Sequence, residues 1–363
     1  MEDTKYRKLV GELKDGILGG RYGAECPLPS LRALMRRSGL SSSTIRRAFA
    51  ELERTGLVIR ARGSGTFVAP AAASRKIGLI VPGVAYCEIY PPIVSEISRL
   101  AQEKEYRLLI GDVSGRTTEP WLRRARRVAE DLVNDKVSGV LFQPIESVSD
   151  AQACNRAVLS VFREAGVPVV LIGYGVQRAS SECGGYDVIG INNFDAGFRL
   201  AAHLSEVGAR RICFLKKKGE RSVSCIDRIH GIQSFLGTRR FSTDRNVLEA
   251  AADDSRAIGR YLRQRRPDAF ICGNDAVAAT FRQTLEKLGF AVPKDMLLAG
   301  FDDVNIARLT RLTSVRQPCE SIARAAFGRL LERLADPRLD PTEILIAAPL
   351  VMRTSTNFAQ SGS

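Results

Sequence analysis

Near the start of the chain, Leu9, Leu13 and Ile17 recur at helical spacing and predict a first helix. Pro27-Leu28-Pro29-Ser30 interrupts that pattern and restarts it. Ser30 is placed to cap a short second helix whose apolar face carries Leu31 and Leu34. Gly39 breaks it. Ser41, Ser42 and Ser43 offer the cap of a third helix, with Ile45, Phe49 and Leu52 on its core face and Gly56 at its end. Val58-Ile59-Arg60 and Thr66-Phe67-Val68 are short strand signals. Between them runs Ala61-Arg62-Gly63-Ser64-Gly65, where glycine permits a tight turn. Three helices followed by a two-stranded hairpin make a winged helix-turn-helix over residues 1–69.

Residues 70–75, Pro-Ala-Ala-Ala-Ser-Arg, read as a linker. Beyond them the rhythm changes. Ile77-Gly78-Leu79-Ile80-Val81 is a continuous apolar run, followed by a helix with Ile93, Ile97 and Leu100 on one face. Leu108-Leu109-Ile110, a helix around 120–134, Gly139-Val140-Leu141-Phe142, a helix around 150–165 and Pro168-Val169-Val170-Leu171-Ile172 continue the alternation. Such strands belong to a parallel sheet covered on both faces. The rhythm restarts at Val188-Ile189-Gly190-Ile191. It runs on through Ile212-Cys213-Phe214-Leu215, Ala269-Phe270-Ile271-Cys272 and Met296-Leu297-Leu298-Ala299. This is too much alternation for one sheet. Residues 76–358 are therefore expected to form an α/β domain of two lobes, with a ligand bound between them near the strand C-termini.

Charge sharpens the picture of the first domain. The chain of 363 residues carries a net charge of +14. Residues 1–75 hold 14 Lys and Arg against 7 Asp and Glu, so half of the excess lies in about a fifth of the chain. Concentrated positive charge favours a polyanion, because binding releases condensed counterions. The eight Cys are scattered and form no Cys-x-x-Cys pair. They read as small buried hydrophobes of a reducing compartment. The two His, His203 and His230, have no ligand-like spacing, so no metal site or cofactor is expected. The N-terminus has no apolar signal region, and no run is long enough to span a bilayer. These features point to a cytoplasmic protein without a membrane partner.

Three motifs in order, Leu28-Pro29-Ser30-Leu31-Arg32-Ala33-Leu34, Ser41-Ser42-Ser43-Thr44-Ile45-Arg46-Arg47-Ala48 and Arg62-Gly63-Ser64-Gly65-Thr66-Phe67-Val68, closely resemble the GntR family of winged-helix regulators over residues 5–69. The resemblance implies binding to double-stranded operator DNA. A small, hydroxyl-bearing first turn on the third helix fits the major groove. Ser30, Arg32, Ser41, Ser42, Ser43, Thr44, Arg46 and Arg47 are then the contact candidates. Gly63, Ser64 and Gly65 form a wing tip slim enough for the minor groove. Most of these contacts would position the protein rather than specify sequence. The plainer alternative makes the serines simple helix caps and Gly-Ser-Gly a simple hairpin.

From Ile77 to about Asn357 the chain resembles the effector domains of LacI and galactose-repressor regulators, which are similar to periplasmic sugar-binding proteins. The match is carried by Ala269-Phe270-Ile271-Cys272-Gly273-Asn274-Asp275, by Gly300-Phe301-Asp302-Asp303, by Leu312 through Pro318 and by Pro349 through Thr356. The resemblance implies that Arg228, Asn274, Asp302 and Gln317 face the cleft between the lobes, and that Tyr86 and Tyr90 stack on a sugar. Each has a plainer alternative: Asp302 and Asn274 as caps or turn supports, Arg228 as a structural ion pair, the tyrosines as surface or core residues. Two departures bear on the ligand. An acidic residue usual after the fourth strand is replaced by Ile172-Gly173-Tyr174, and the usual Asp-Asn is Asn192-Asn193.

The fusion of the two parts resembles the arabinose-repressor branch of GntR regulators. It implies a homodimeric repressor of transcription whose operator affinity follows a small effector, a sugar in the first instance, and no enzymatic activity. Two alternatives stay open. One is a small-molecule-binding module with a degenerate head. The other is a nucleotide-using enzyme, although Lys216-Lys217-Lys218-Gly219 lacks the preceding glycine and the Lys-Ser/Thr ending of a phosphate-binding loop.

Overall fold

The computed structural model describes residues 2–18, 21–22, 27–55, 57–61, 65–69, 76–83, 87–114, 119–146, 148–173, 185–241 and 246–357. The linker at 70–75, Gly63, Ser64 and Tyr86 lie outside the described residues.

The N-terminal unit follows its apolar spacing. Helix α1 (Glu2–Leu18) buries Tyr6, Leu9, Leu13 and Ile17. Helix α2 (Leu31–Ser38) starts at Ser30, whose Oγ accepts from the Ala33 N–H at 3.2 Å, and stops at Gly39 with φ +67°. Helix α3 (Ser42–Arg54) starts at Ser41 and buries Ile45, Ala48, Phe49 and Leu52. Thr55 is the capping residue, and its buried hydroxyl donates to the Leu52 carbonyl at 2.9 Å; Gly56, expected to end the helix, lies outside the described residues. Strands β1 (Val58–Ala61) and β2 (Gly65–Val68) pair antiparallel from Val58 opposite Val68 to Ala61 opposite Gly65. Val58 and Val68 join the three helices in one core.

The first lobe is built from β3 (Lys76–Val81), α4 (Tyr90–Glu103), β4 (Arg107–Asp112), α5 (Trp121–Asn134), β5 (Gly139–Phe142), α6 (Ala151–Glu164), β6 (Val169–Ile172) and β7 (Asp187–Ile191). The second holds α7 (Asn193–Glu206), β8 (Ile212–Lys216), α8 (Val223–Thr238), β9 (Val247–Glu249), α9 (Ser255–Arg265), β10 (Ala269–Cys272), α10 (Asp275–Lys287), β11 (Leu297–Asp302), α11 (Asn305–Leu309) and β12 (Thr313–Arg316). The chain then returns to the first lobe with α12 (Cys319–Ala335) and β13 (Glu343–Ile346). It crosses once more to add β14 (Leu350–Val351) to the second. The sheet orders are β13-β7-β6-β5-β3-β4 and β14-β12-β11-β10-β8-β9; every pairing is parallel except β14 on β12.

Three connections thus pass between the lobes: after β7, after β12 and after β13. The strand at 187–191, where the alternating rhythm restarts, belongs to the first sheet, between β6 and β13. Local apolar pattern marks a strand but not the sheet it joins. One apolar cluster runs through both lobes from Ile77 and Ile97 to Phe214, Ile232 and Phe301, and separate clusters cover the outer faces. Both sheets are therefore covered on both faces, which explains their near-continuous apolar strands.

Candidate functional site

On the first face, Ser41 is a true cap. Its Oγ accepts from the Thr44 N–H at 3.2 Å and lies 2.8 Å from the Ser43 Oγ and 2.7 Å from the Thr44 Oγ1. That engages Ser41 within the turn, while Ser43 stays exposed and Ser42 and Thr44 half-exposed. Arg32, Arg36 and Arg46 are exposed and form no ion pair among the described residues. Arg47 lies over the Tyr6 ring at 4.8 Å, and the Tyr6 hydroxyl donates to Glu51. Arg60 on β1 pairs with Glu53 at 3.0 Å and reaches the Arg46 carbonyl at 3.5 Å, bracing the hairpin against α3. Gly65 is exposed with φ +118°, a conformation that only glycine adopts without strain. The outcome is an exposed first turn of α3 flanked by Arg32, Arg36 and Arg46, which have no counter-charge among the described residues.

The second site is a cavity of about 690 Å³ between the lobes, where strand ends from both sheets meet the crossovers. Arg228, Asn274, Asp302, Gln317 and Tyr90 all line it. Arg228 is buried on α8. Its Nε donates to the Asn193 Oδ1 at 2.8 Å and its Nη1 to the Gly273 carbonyl at 2.7 Å, and its Nη2 lies 3.9 Å from the Asp302 Oδ1. The guanidinium sits 4.1 Å from the centre of the Phe301 ring. Two glycines allow this placement. A Cβ on Gly231 would collide with the Phe194 carbonyl, and one on Gly197 with the Arg228 carbonyl, so α7 and α8 approach backbone to backbone. The Gly of the Arg-x-x-Gly stretch is thus a packing requirement.

Asp302 ends β11 with φ +101° and carries a carboxyl pushed up by burial, with Arg228 and the Gln317 side chain holding it down. Asn274 caps α10, its Oδ1 accepting from the Val277 N–H at 2.9 Å, so the plainer role is real. It also lines the cavity, and its amide NH2 has no partner among the described residues. Tyr90 is buried at the start of α4, between core and cavity, with its hydroxyl pushed up by burial.

Sequence reasoning missed Glu146, beyond the end of β5. It lines the cavity, accepts from the Ser224 Oγ at 2.8 Å and the Ser224 N–H at 3.4 Å across the lobes, and is pushed up to about 7 by burial. Glu88 makes a second bond across the lobes, from the Asn305 N–H at 3.2 Å. The acid expected after β6 is indeed missing there, where Ile172 and Gly173 form cavity wall, and Glu146 on the neighbouring strand end supplies a carboxyl. Its one signal was position, since the residues just past a parallel strand's C-terminus face the crevice. The second departure also has a function: Asn192 caps α7 through the Asp195 N–H at 3.0 Å, and Asn193 holds Arg228.

Comparison with known proteins agrees with both halves. Residues 5–68 match the bacterial regulatory proteins of the gntR family, and residues 201–356 match the periplasmic binding protein-like domain. The chain is 26% identical to the arabinose metabolism transcriptional repressor of Geobacillus stearothermophilus, covering 97% of each. It is 24% identical to the HTH-type transcriptional repressor PurR of Klebsiella pneumoniae subsp. pneumoniae, covering 90% of this chain and 97% of that one. A solved complex of the transcriptional regulator CelR with cellobiose shares the fold at a TM-score of 0.64 and 21% identity, over 90% of this chain and 100% of that one. Among the described residues no helix is long and apolar enough to cross a membrane. The chain therefore joins a segment matching the gntR family of bacterial regulatory proteins to one matching the periplasmic binding protein-like domain, and over nearly its whole length it is similar to transcriptional repressors.

Proposed function

We propose that this chain is a cytoplasmic, homodimeric repressor whose hold on operator DNA is relieved when a small polar effector, a sugar in the first instance, closes the two lobes. One observation carries the reading: a bare, cation-flanked first turn of α3 and an enclosed polar cleft at three lobe crossovers occur in the same chain. Ser42, Ser43, Thr44 and Arg46 enter the major groove, Ser30 and Arg32 clamp the backbone, and the wing at Gly65 reaches the minor groove. A two-fold dimer presents two such heads to a palindromic site. In the cleft, Arg228, Asp302, Asn274 and Gln317 supply planar donors and acceptors for hydroxyl groups, as sugar recognition requires. The cleft serves as a sensor rather than a catalytic centre. The sugar assignment draws support from the cellobiose bound in the CelR complex and from the arabinose repressor's name.

The DNA-binding half is tested on Arg46→Ala with a fragment selected by the wild-type chain from random-sequence DNA. Gel-shift titrations at two salt concentrations should show weaker binding, by about 1–3 kcal/mol if Arg46 reads a base, and a shallower salt slope. Unchanged affinity and slope remove Arg46 from the interface.

A further inference from the structure

We propose that the effector is a polyhydroxylated metabolite bearing an anionic group, and that Lys217, Lys218 and Arg221 receive that group. The inference rests on the reading of the cleft as an effector site and specifies its ligand. It starts from Lys216-Lys217-Lys218-Gly219, which the absence of a phosphate-loop pattern left without a role.

In the fold this segment is the turn from β8 into α8, and residues 216–222 all line the cavity. Gly219 takes φ +77°, and the Glu220 N–H bonds back to the Lys217 carbonyl at 3.0 Å, so the lysines sit on a tight turn. Nearby acids are already engaged. Lys216 pairs with Glu249 at 2.6 Å. The Glu220 Oε1 accepts from the Arg221 N–H at 3.0 Å and the Ser222 N–H at 2.9 Å, which ties its carboxylate to the start of α8. Lys217, Lys218 and Arg221 remain exposed and have no ion-pair partner among the described residues.

Charge is balanced elsewhere in the cleft. Asp302 faces Arg228, and Glu146 is held across the lobes by the Ser224 hydroxyl and N–H, with its carboxyl raised by burial. Among the described residues that line the cavity, Lys217, Lys218 and Arg221 outnumber the one carboxylate of their own turn, Glu220, so the excess charge there is positive. Tyr90 is the only aromatic among the described residues that line the cavity, so stacking on an apolar sugar face has little surface to use. A ligand with hydroxyls toward Arg228 and Asp302 and a phosphate ester or carboxylate toward the turn matches both ends.

The test uses the full chain and matched sets of probes: ribose, ribose 5-phosphate and ribonate; glucose, glucose 6-phosphate and gluconate; and the corresponding arabinose and fructose compounds. Affinities are measured calorimetrically for wild type, for the double variant K217Q/K218Q and for Asp302→Asn, each first checked for a wild-type melting curve. The expected result is that an anionic member binds more tightly than its neutral counterpart, by about ten- to a hundredfold. K217Q/K218Q abolishes that preference, and added salt reduces it. Preference for phosphates or for carboxylates identifies the anion. A neutral sugar that binds as tightly as its anionic counterparts, or an anion preference that survives K217Q/K218Q, overturns this inference and leaves the effector reading intact. If no probe, charged or neutral, binds the wild type, the effector reading falls together with it.

Discussion

Arg228 links the crossover after β7 to the floor of the cleft through Asn193, the Gly273 carbonyl and Asp302, while Phe301 covers its flat face. A lysine there could not make the same planar set of bonds. Glu146 is the other residue whose surroundings define its behaviour. Burial raises its carboxyl from an ordinary 4.5 to about 7, so the folded protein prefers the protonated form. The associated stability is fully present below the unfolded value and is lost as pH rises through about 7. Asp275, raised to about 7 by burial in the second lobe, adds a contribution of the same sign. His203, lowered by burial, works in the opposite direction, so the test is the difference: in denaturant titrations from pH 4.5 to 8, stability should fall more with rising pH in wild type than in Glu146→Gln. Equal slopes in wild type and variant would show that Glu146 does not titrate in this way.

At the scale of elements, the α7–α8 contact decides where Arg228 stands. Adding a methyl group at Gly231 drives it into the Phe194 carbonyl. Gly231→Ala should cost about 1–3 kcal/mol of stability through overpacking and weaken effector binding without touching the ligand. Calorimetric melting and ligand titration check both; a variant with wild-type melting and affinity would mean that the helices separate freely. Elements were also where sequence reasoning was strongest and where it ran out. The caps at Ser30 and Ser41, the buried faces of α1 and α3 and the parallel strands are local consequences of spacing and side-chain chemistry, and all were legible. Membership of β7 in the first sheet, and the addition of β14 antiparallel to the second, depend on contacts between distant segments that no window displays. The cleft was legible where motifs were long, at Asp302 and Asn274, and illegible at Glu146. A single acid after Gln143-Pro144-Ile145 has no distinguishing pattern until the lobes bring Ser224 to it.

At the scale of the molecule, the proposed coupling between the DNA-facing helix and the cleft runs through the arrangement of the two lobes. Among the described residues, Glu146 with Ser224 and Glu88 with Asn305 are polar contacts across the lobes that a change in lobe arrangement would alter. Coupling requires that the effector bind one lobe arrangement better than the other, and the difference in those affinities sets the largest possible effect on DNA. The decisive measurement is the Kd for a selected operator fragment, by fluorescence anisotropy at fixed salt, without and with a saturating concentration of a ligand shown calorimetrically to occupy the cleft. The account predicts that the ligand weakens operator binding by roughly 5- to 150-fold in wild type and far less in Asp302→Asn. An operator Kd that stays the same in wild type with the cleft filled would contradict it.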